Sequence, residues 1–250
     1  MPKLDPAIER VLVALARGLR RLDVRFCVVG ALVPDLLLTE RPDQATLDAD
    51  VVVFVADLAT FERVKSELVG FQVTKYPYRL QHESGGRADI LPYSEELARD
   101  GVLRLEPDYV FNMAGFDRVA GATVEVTLDS GDIVPVVLVP LYVLLKLVAF
   151  TDRRLQKDIG GVLHCLRNYA EDDERRFGLE HEGTAVPYEY GSAYLVGVDA
   201  RVFVDERLRR LIGPLLDQLI PPGVDADDAE PYREQESRHY LRWFRAGLGI

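Results

Sequence analysis

Apolar residues recur at helical spacing near the start of the chain. Ile8, Val11, Leu12, Leu15, Leu19 and Leu22 fall on one face, behind a capping Asp5 and with Pro6 at the first helical position. This predicts a helix over 4–22. The period then drops toward that of strands. "VRFCVVG" (24–30) reads as a buried strand ending at Gly30, "ALVPDLLL" (31–38) as a short helix, and "DADVVVFV" (48–55) as the next strand. "DLATFERVKSELVG" (57–70) reads as a helix capped by Asp57 and stopped by Gly70. "FQVTKY", "YRLQHE" and "RADILPY" read as further strands, the last two joined across "SGG". Beyond Pro140 the period is helical, over about 140–152, 155–169, 190–203, 205–219 and 231–246. Segments 171–191 and 221–232 read as loops, and no internal repeat is visible.

The change of period divides the chain into a mixed α/β region, 1–138, and a helical region, 139–250. The 250 residues are enough for a sizeable core. Cys27 and Cys165 each lie in an apolar run and read as small buried hydrophobes rather than a bridge or a metal pair, which suits a reducing cytosol. No secretory leader is evident, so a cytoplasmic location is expected. The longest apolar run, "VPLYVLLKLVAF" (139–150), is too short to span a bilayer and contains Lys146. The formal net charge of −11 gives no general attraction for nucleic acid or an anionic membrane. Handling a polyanion would need a local basic patch or a metal ion.

One stretch carries chemistry. In "TLDADVVVFV" (46–55) strand alternation puts Asp48 and Asp50 on one face and Leu47, Ala49 and Val51 on the other. Like charges side by side weaken a strand. A close carboxylate pair with a third acid can instead hold Mg²⁺ through hard oxygen ligands, leaving positions for substrate phosphates. Asp89, on the predicted strand "RADILPY", is the candidate third. The competing reading leaves Asp48 and Asp50 as solvated residues at a strand entrance. Gly30 ends a strand and opens a helix, where bare amides can meet a phosphate.

Strand, glycine, helix, acidic pair, then a third aspartate is the order found in polymerase-beta-like nucleotidyltransferases. The chain resembles the AbiEii/AbiGii-type nucleotidyltransferases, toxins of bacterial toxin–antitoxin and phage-defence pairs. The matching residues are "VVGA" (28–31), Arg41 with "TLDAD" (46–50), "ADI" (88–90) and "LKLVAFTDRRLQKDI" (145–159), with a family-like helix in "GSAYLVGVDARVFV". The likeness covers about 20–205. It implies a nucleotidyltransferase-like mixed-sheet core with a C-terminal helical domain, and a site in the cleft between them. The implied reaction moves an NMP from an NTP to an acceptor hydroxyl. Asp48, Asp50 and Asp89 would bind two Mg²⁺ ions, and Asp89 could take the hydroxyl proton. Gly30, Ala31, Arg41, Thr46, Arg153, Lys157 and Asp158 would meet the nucleotide, and Lys146 the developing phosphate charge. The acceptor would be an RNA end such as the tRNA acceptor stem, a protein side chain or a small molecule, and an antitoxin the protein partner.

Positions 146, 153 and 157 return to nearly one helix face, so an unbroken helix would align Lys146, Arg153 and Lys157 as a cationic stripe. Lys146 interrupts an apolar run. It either snorkels, pairs with a core carboxylate that Asp158 could supply, or meets phosphate. Arg154 reads as solvated. The chain departs from the resemblance at Gly30-Ala31, where Gly-Gly or Gly-Ser is usual, and at Gly160-Gly161, where a further aspartate is usual. The Gly30-Ala31 departure supports the alternative of a non-catalytic nucleotide- or partner-binding module that keeps the fold. His82, His164, His181 and His239 show no metal-ligand spacing, and there is no P-loop, nucleophile elbow or zinc pattern. Tyr240, Trp243 and Phe244 read as core packing, with base stacking as the alternative.

Overall fold

The computed structural model describes residues 4–42, 46, 48–169, 174–179, 186–220 and 232–250. The chain forms two compact units, Met1–Leu138 and Val139–Ile250. In chain order the first holds α1 (Pro6–Arg21), β1 (Phe26–Val28), α2 (Leu32–Leu37), β2 (Asp48–Phe54), α3 (Leu58–Glu67) and β3 (Phe71–Val73). It continues with β4 (Arg79–His82), β5 (Arg87–Tyr93), β6 (Val102–Glu106), β7 (Tyr109–Asn112), β8 (Thr123–Thr127) and β9 (Ile133–Val137). Seven strands form one sheet in the order β3-β4-β5-β2-β1-β9-β8, and β6 with β7 makes a separate hairpin. The β2–β5 and β1–β9 pairs are parallel and the rest antiparallel, so the sheet is mixed.

Alternation decides which face of the central strands is buried. Ala49, Val51 and Val53 of β2, with Ala88 and Ile90 of β5, are all within 1% of full burial. Helix α1 packs on these two strands with Val11, Leu12, Leu15 and Leu19 buried. Each buried valine is worth about 1.5–3 kcal/mol. A side-by-side like-charge pair costs on the order of 1 kcal/mol or less. The strand therefore tolerates Asp48 and Asp50 on its other face. Asp5 caps α1 by accepting the Ala7 N–H at 2.7 Å, and Asp57 caps α3 by accepting the Thr60 N–H at 2.7 Å.

The mixed α/β class expected from the pattern is present. The expected strands end at residue 93, however, and the structure adds four. Edge strand β8 buries only Val126, so its period-2 signal is weak. Strand β9 carries Pro135, which argues against a strand in any sequence reading, yet it lies inside the sheet beside β1.

The second unit contains α4 (Val139–Arg153), α5 (Gln156–Asn168), the single turn α6 (Arg175–Gly178), α7 (Gly191–Ala200), α8 (Glu206–Leu219) and α9 (Tyr232–Leu248). The unbroken helix that would align Lys146, Arg153 and Lys157 does not form. Helix α4 ends at Arg153, Arg154 takes a left-handed φ of +50°, and α5 begins at Gln156. No glycine or proline marks this break. Helix α7 is buried nearly all round and crosses α9 at backbone contact: a Cβ on Gly197 would strike the Phe244 carbonyl, and one on Gly247 the Tyr194 carbonyl. Phe244 and Tyr240 are buried, and Trp243 packs on Leu179, Val186 and Leu195, so these aromatics are core. Cys27 and Cys165 are buried and free, and burial pushes the Cys27 thiol up to about 12 and raises Cys165 also. Leu47, His181, much of the expected loop 171–191 and nearly all of 221–232 lie outside the described residues. Among the described residues no helix is long and apolar enough to cross a membrane.

Candidate active site

Register assembles the acidic face. Across the parallel β2–β5 pair, Asp50 stands opposite Asp89 and Asp48 opposite Arg87. Across the antiparallel β4–β5 pair, Arg79 stands opposite Asp89. A row Arg79–Asp89–Asp50 therefore runs over three neighbouring strands, with Arg87 and Asp48 two residues along the same face. Their side chains are half-buried, at 24% exposure for Asp48, 18% for Asp89 and 21% for Arg79.

Arginine closes two of the three carboxylates. The Arg79 guanidinium donates from Nε to Asp89 Oδ1 at 2.6 Å and from Nη2 to Asp89 Oδ2 at 2.7 Å. The same Nη2 lies 3.3 Å from Asp48 Oδ2, and Arg87 Nε donates to Asp48 Oδ1 at 2.7 Å. All four oxygens of Asp48 and Asp89 thus accept from an arginine. Hydrogen bonding to Asp89 holds Arg79 still further above its ordinary pKa. The guanidinium carbon also lies 5.7 and 5.8 Å from the ring centroids of Tyr76 and Tyr78, within cation–π range. The Tyr78 ring in turn packs on Tyr109 and Phe111 of the β6–β7 hairpin. Three carboxylates against two guanidiniums leave this face one negative charge in surplus.

Asp50 takes a different partner. Its Oδ2 lies 3.4 Å from the Ala31 N–H. Gly30, in the turn between β1 and α2, has φ +70°, and a Cβ there would fall on the Asp50 carboxylate. Glycine is needed twice at this position, for its backbone and for its bareness. Thr46 hydroxyl donates to the Asp48 carbonyl at 3.2 Å at the entrance of β2. Arg41 is exposed on the connection from α2 to β2.

The helical unit has its own charged cluster. Asp158, in the first turn of α5, is fully buried. It accepts from Lys146 Nζ at 3.2 Å and from Arg153 Nε and Nη2 at 2.7 and 2.8 Å. Lys146 is 13% exposed and Arg153 49%. Lys157 is exposed in the same first turn. The break at Arg154 lets Arg153 fold back onto Asp158 instead of continuing a stripe.

The partners Arg79 and Arg87 did not emerge from the sequence. One signal was there for Arg87: an acidic face needs counter-charge, and period two puts Arg87 on the face of Asp89, whereas Arg79 is placed by strand register alone. The donor chemistry of Asp48, Asp50 and Asp89, carboxylate oxygens on one face, suits a hard divalent cation. Asp48 and Asp89 are held by arginines, and among the described residues no three His, Cys, Asp or Glu side chains are gathered as a metal site. Two open hollows on the sheet unit, one lined by Arg20, Arg25 and Phe54 and the other by Glu9, Arg17 and His82, include none of the three aspartates.

No family model matches the chain, and no curated protein matches it. Among solved structures it is similar to an antigenic nucleotidyltransferase-like protein from Paracoccidioides brasiliensis, with 17% identity, 65% of this chain and 77% of that one covered, and a TM-score of 0.43. It is also similar to the CdnE cyclic dinucleotide synthase of Elizabethkingia meningoseptica, a structure with GTP and Apcpp, with 10% identity, 100% of this chain and 96% of that one covered, and a TM-score of 0.32. Likeness at this level decides nothing about the site, which stands on its own geometry.

Proposed function

We propose that the chain is a Mg²⁺-dependent nucleotidyltransferase that moves an NMP from an NTP to an acceptor hydroxyl and releases pyrophosphate. The observation that carries this reading is the shared face of Asp48, Asp50 and Asp89, with Asp50 and Asp89 in register beside the Gly30–Ala31 turn. Like charges in such a row have little structural use, whereas a cation converts their repulsion into binding. Bound there, divalent ions would supply charge neutralisation for the triphosphate and polarise the attacking oxygen. The protein's own part is positioning and proton transfer. The acceptor oxygen forms a bond to the α-phosphorus, the bond from that phosphorus to the pyrophosphate oxygen breaks, and the hydroxyl proton passes to a carboxylate, with Asp89 in that role. The resemblance extends this reading to a toxin held in check by an antitoxin, with an RNA end, a protein side chain or a small molecule as the acceptor.

A thermal-shift screen of the NTPs with and without Mg²⁺, followed by labelled transfer to total RNA, tests the proposal. Mg²⁺ with one NTP should raise the melting temperature, and Asp48→Asn and Asp50→Asn should each abolish both the shift and the transfer. An unchanged nucleotide response in both variants ends the metal-dependent reading. A second reading is a non-catalytic nucleotide- or partner-binding module. The arginine partners on every oxygen of Asp48 and Asp89 favour it, as does Ala31, which offers the phosphates only an amide. It expects an NTP-induced shift that needs no Mg²⁺, and no transfer.

A further inference from the structure

We propose that Arg79 is an internal counter-cation that locks the acidic face, and that a divalent ion binds there only by displacing it. The inference rests on the nucleotidyltransferase reading of that face and adds a control to it. Asp89 is fully engaged, with both oxygens taken by the two-pronged guanidinium at 2.6 and 2.7 Å. Asp48 gives one oxygen to Arg79 and the other to Arg87. A divalent ion shared by Asp48 and Asp89 needs an oxygen from each, and those oxygens now face one and the same positive group. Arginine and metal therefore compete for one place.

The lock is built from the fold. Arg79 stands opposite Asp89 in the β4–β5 register, so its reach is set by strand pairing and not by a wandering loop. Tyr76 and Tyr78 flank the guanidinium, and Tyr78 is backed by Tyr109 and Phe111. These rings hold the arginine over the acids. They also offer it a cation–π rest position when the carboxylates turn to a metal. Arg87 cannot do the same work. It touches Asp48 alone and is more exposed, at 39%. The lock spares the metal-free protein the repulsion of three adjacent carboxylates, at the cost of weaker metal binding.

The test uses Mn²⁺ alone, with no nucleotide, so that binding is read apart from transfer. Mn²⁺ affinity is measured by calorimetry and by the loss of free-ion EPR signal, with Mg²⁺ as competitor. Arg79→Ala should bind Mn²⁺ about tenfold or more tighter than the wild type, because its competitor is gone. The same variant should melt lower without metal and recover with it. Arg79→Lys, which keeps the charge and loses the fork, should fall between them and serves where the alanine variant fails to fold. Equal or weaker Mn²⁺ binding by the variants, with binding retained by the wild type, overturns the lock and leaves the nucleotidyltransferase reading standing. No Mn²⁺ binding by wild type or variants, including in the presence of NTP, overturns both.

Discussion

The two units each contain a carboxylate cluster, and the two clusters are built in opposite ways. In the sheet unit, three partly exposed aspartates meet two arginines, and the balance is negative. In the helical unit, one fully buried aspartate meets a lysine and an arginine, and the balance is positive. A buried charge with every oxygen satisfied acts as a staple, because removing either side strands the other away from water. A partly exposed charge in a like-charged row can exchange its partner, because water shares the cost of the change. The contrast separates a cluster that holds structure together from one whose partners can be traded.

The largest effect belongs to the buried aspartate. Asp158→Ala leaves Lys146 and Arg153 facing an empty place. It should lower stability by about 3–5 kcal/mol, read from the urea midpoint. A loss below about 1 kcal/mol would erase the contrast between the clusters. Lys146→Ala should cost less, about 1–2 kcal/mol, because Arg153 keeps both of its bonds to Asp158. If Lys146 also meets phosphate, NMP transfer should fall by roughly two to three decades, far beyond the stability change. In the sheet unit the sign reverses. Asp50→Asn keeps both arginines in their pairs and removes one like charge, so the variant should be as stable as the wild type or more stable by up to about 1 kcal/mol. A clear destabilisation would mean that Asp50 holds the Gly30–Ala31 turn in place by its charge.

The smallest effect is at Asp57, an exposed carboxylate that caps α3. The Thr60 N–H holds its carboxyl below the usual carboxylate range. Its contribution is therefore complete above about pH 4 and fades as pH falls through the folded-state value. The stability gap between wild type and Asp57→Ala should be steady near neutrality and narrow in acid, as followed by urea melts across pH.

Local pattern carried much of the sheet unit. Caps Asp5 and Asp57, the helical stripe of α1 and the alternation of β2 and β5 are short-range features, and the structure has them. Alternation also placed Asp48 and Asp50 together, and the β2–β5 register adds Asp89 to their face. What stayed hidden depends on distant pairing. That β9 lies beside β1 follows from a contact over a hundred residues apart, and Pro135 masked the strand. Arg79 and Arg87 were unremarkable charges until register set them against the aspartates. The break at Arg154 had no glycine or proline to announce it. Its left-handed backbone stands where Arg153 turns back to Asp158, five residues on, and where Arg154 itself donates to Gln218 of α8.

The backbone contact between α7 and α9 has a consequence for the order in which the chain can fold. Gly197 and Gly247 let the two helices touch, and α7 is apolar on nearly every side. During synthesis α7 leaves the ribosome some thirty residues before α9 begins, with a face that nothing else among the described helices covers in the same way. The sheet unit can close once β9 slots between β1 and β8. Helices α4 and α5 are already made and pack on α7, but its α9-facing side must wait until α9 arrives, and that interval is where a chaperone would find this protein most in need of one.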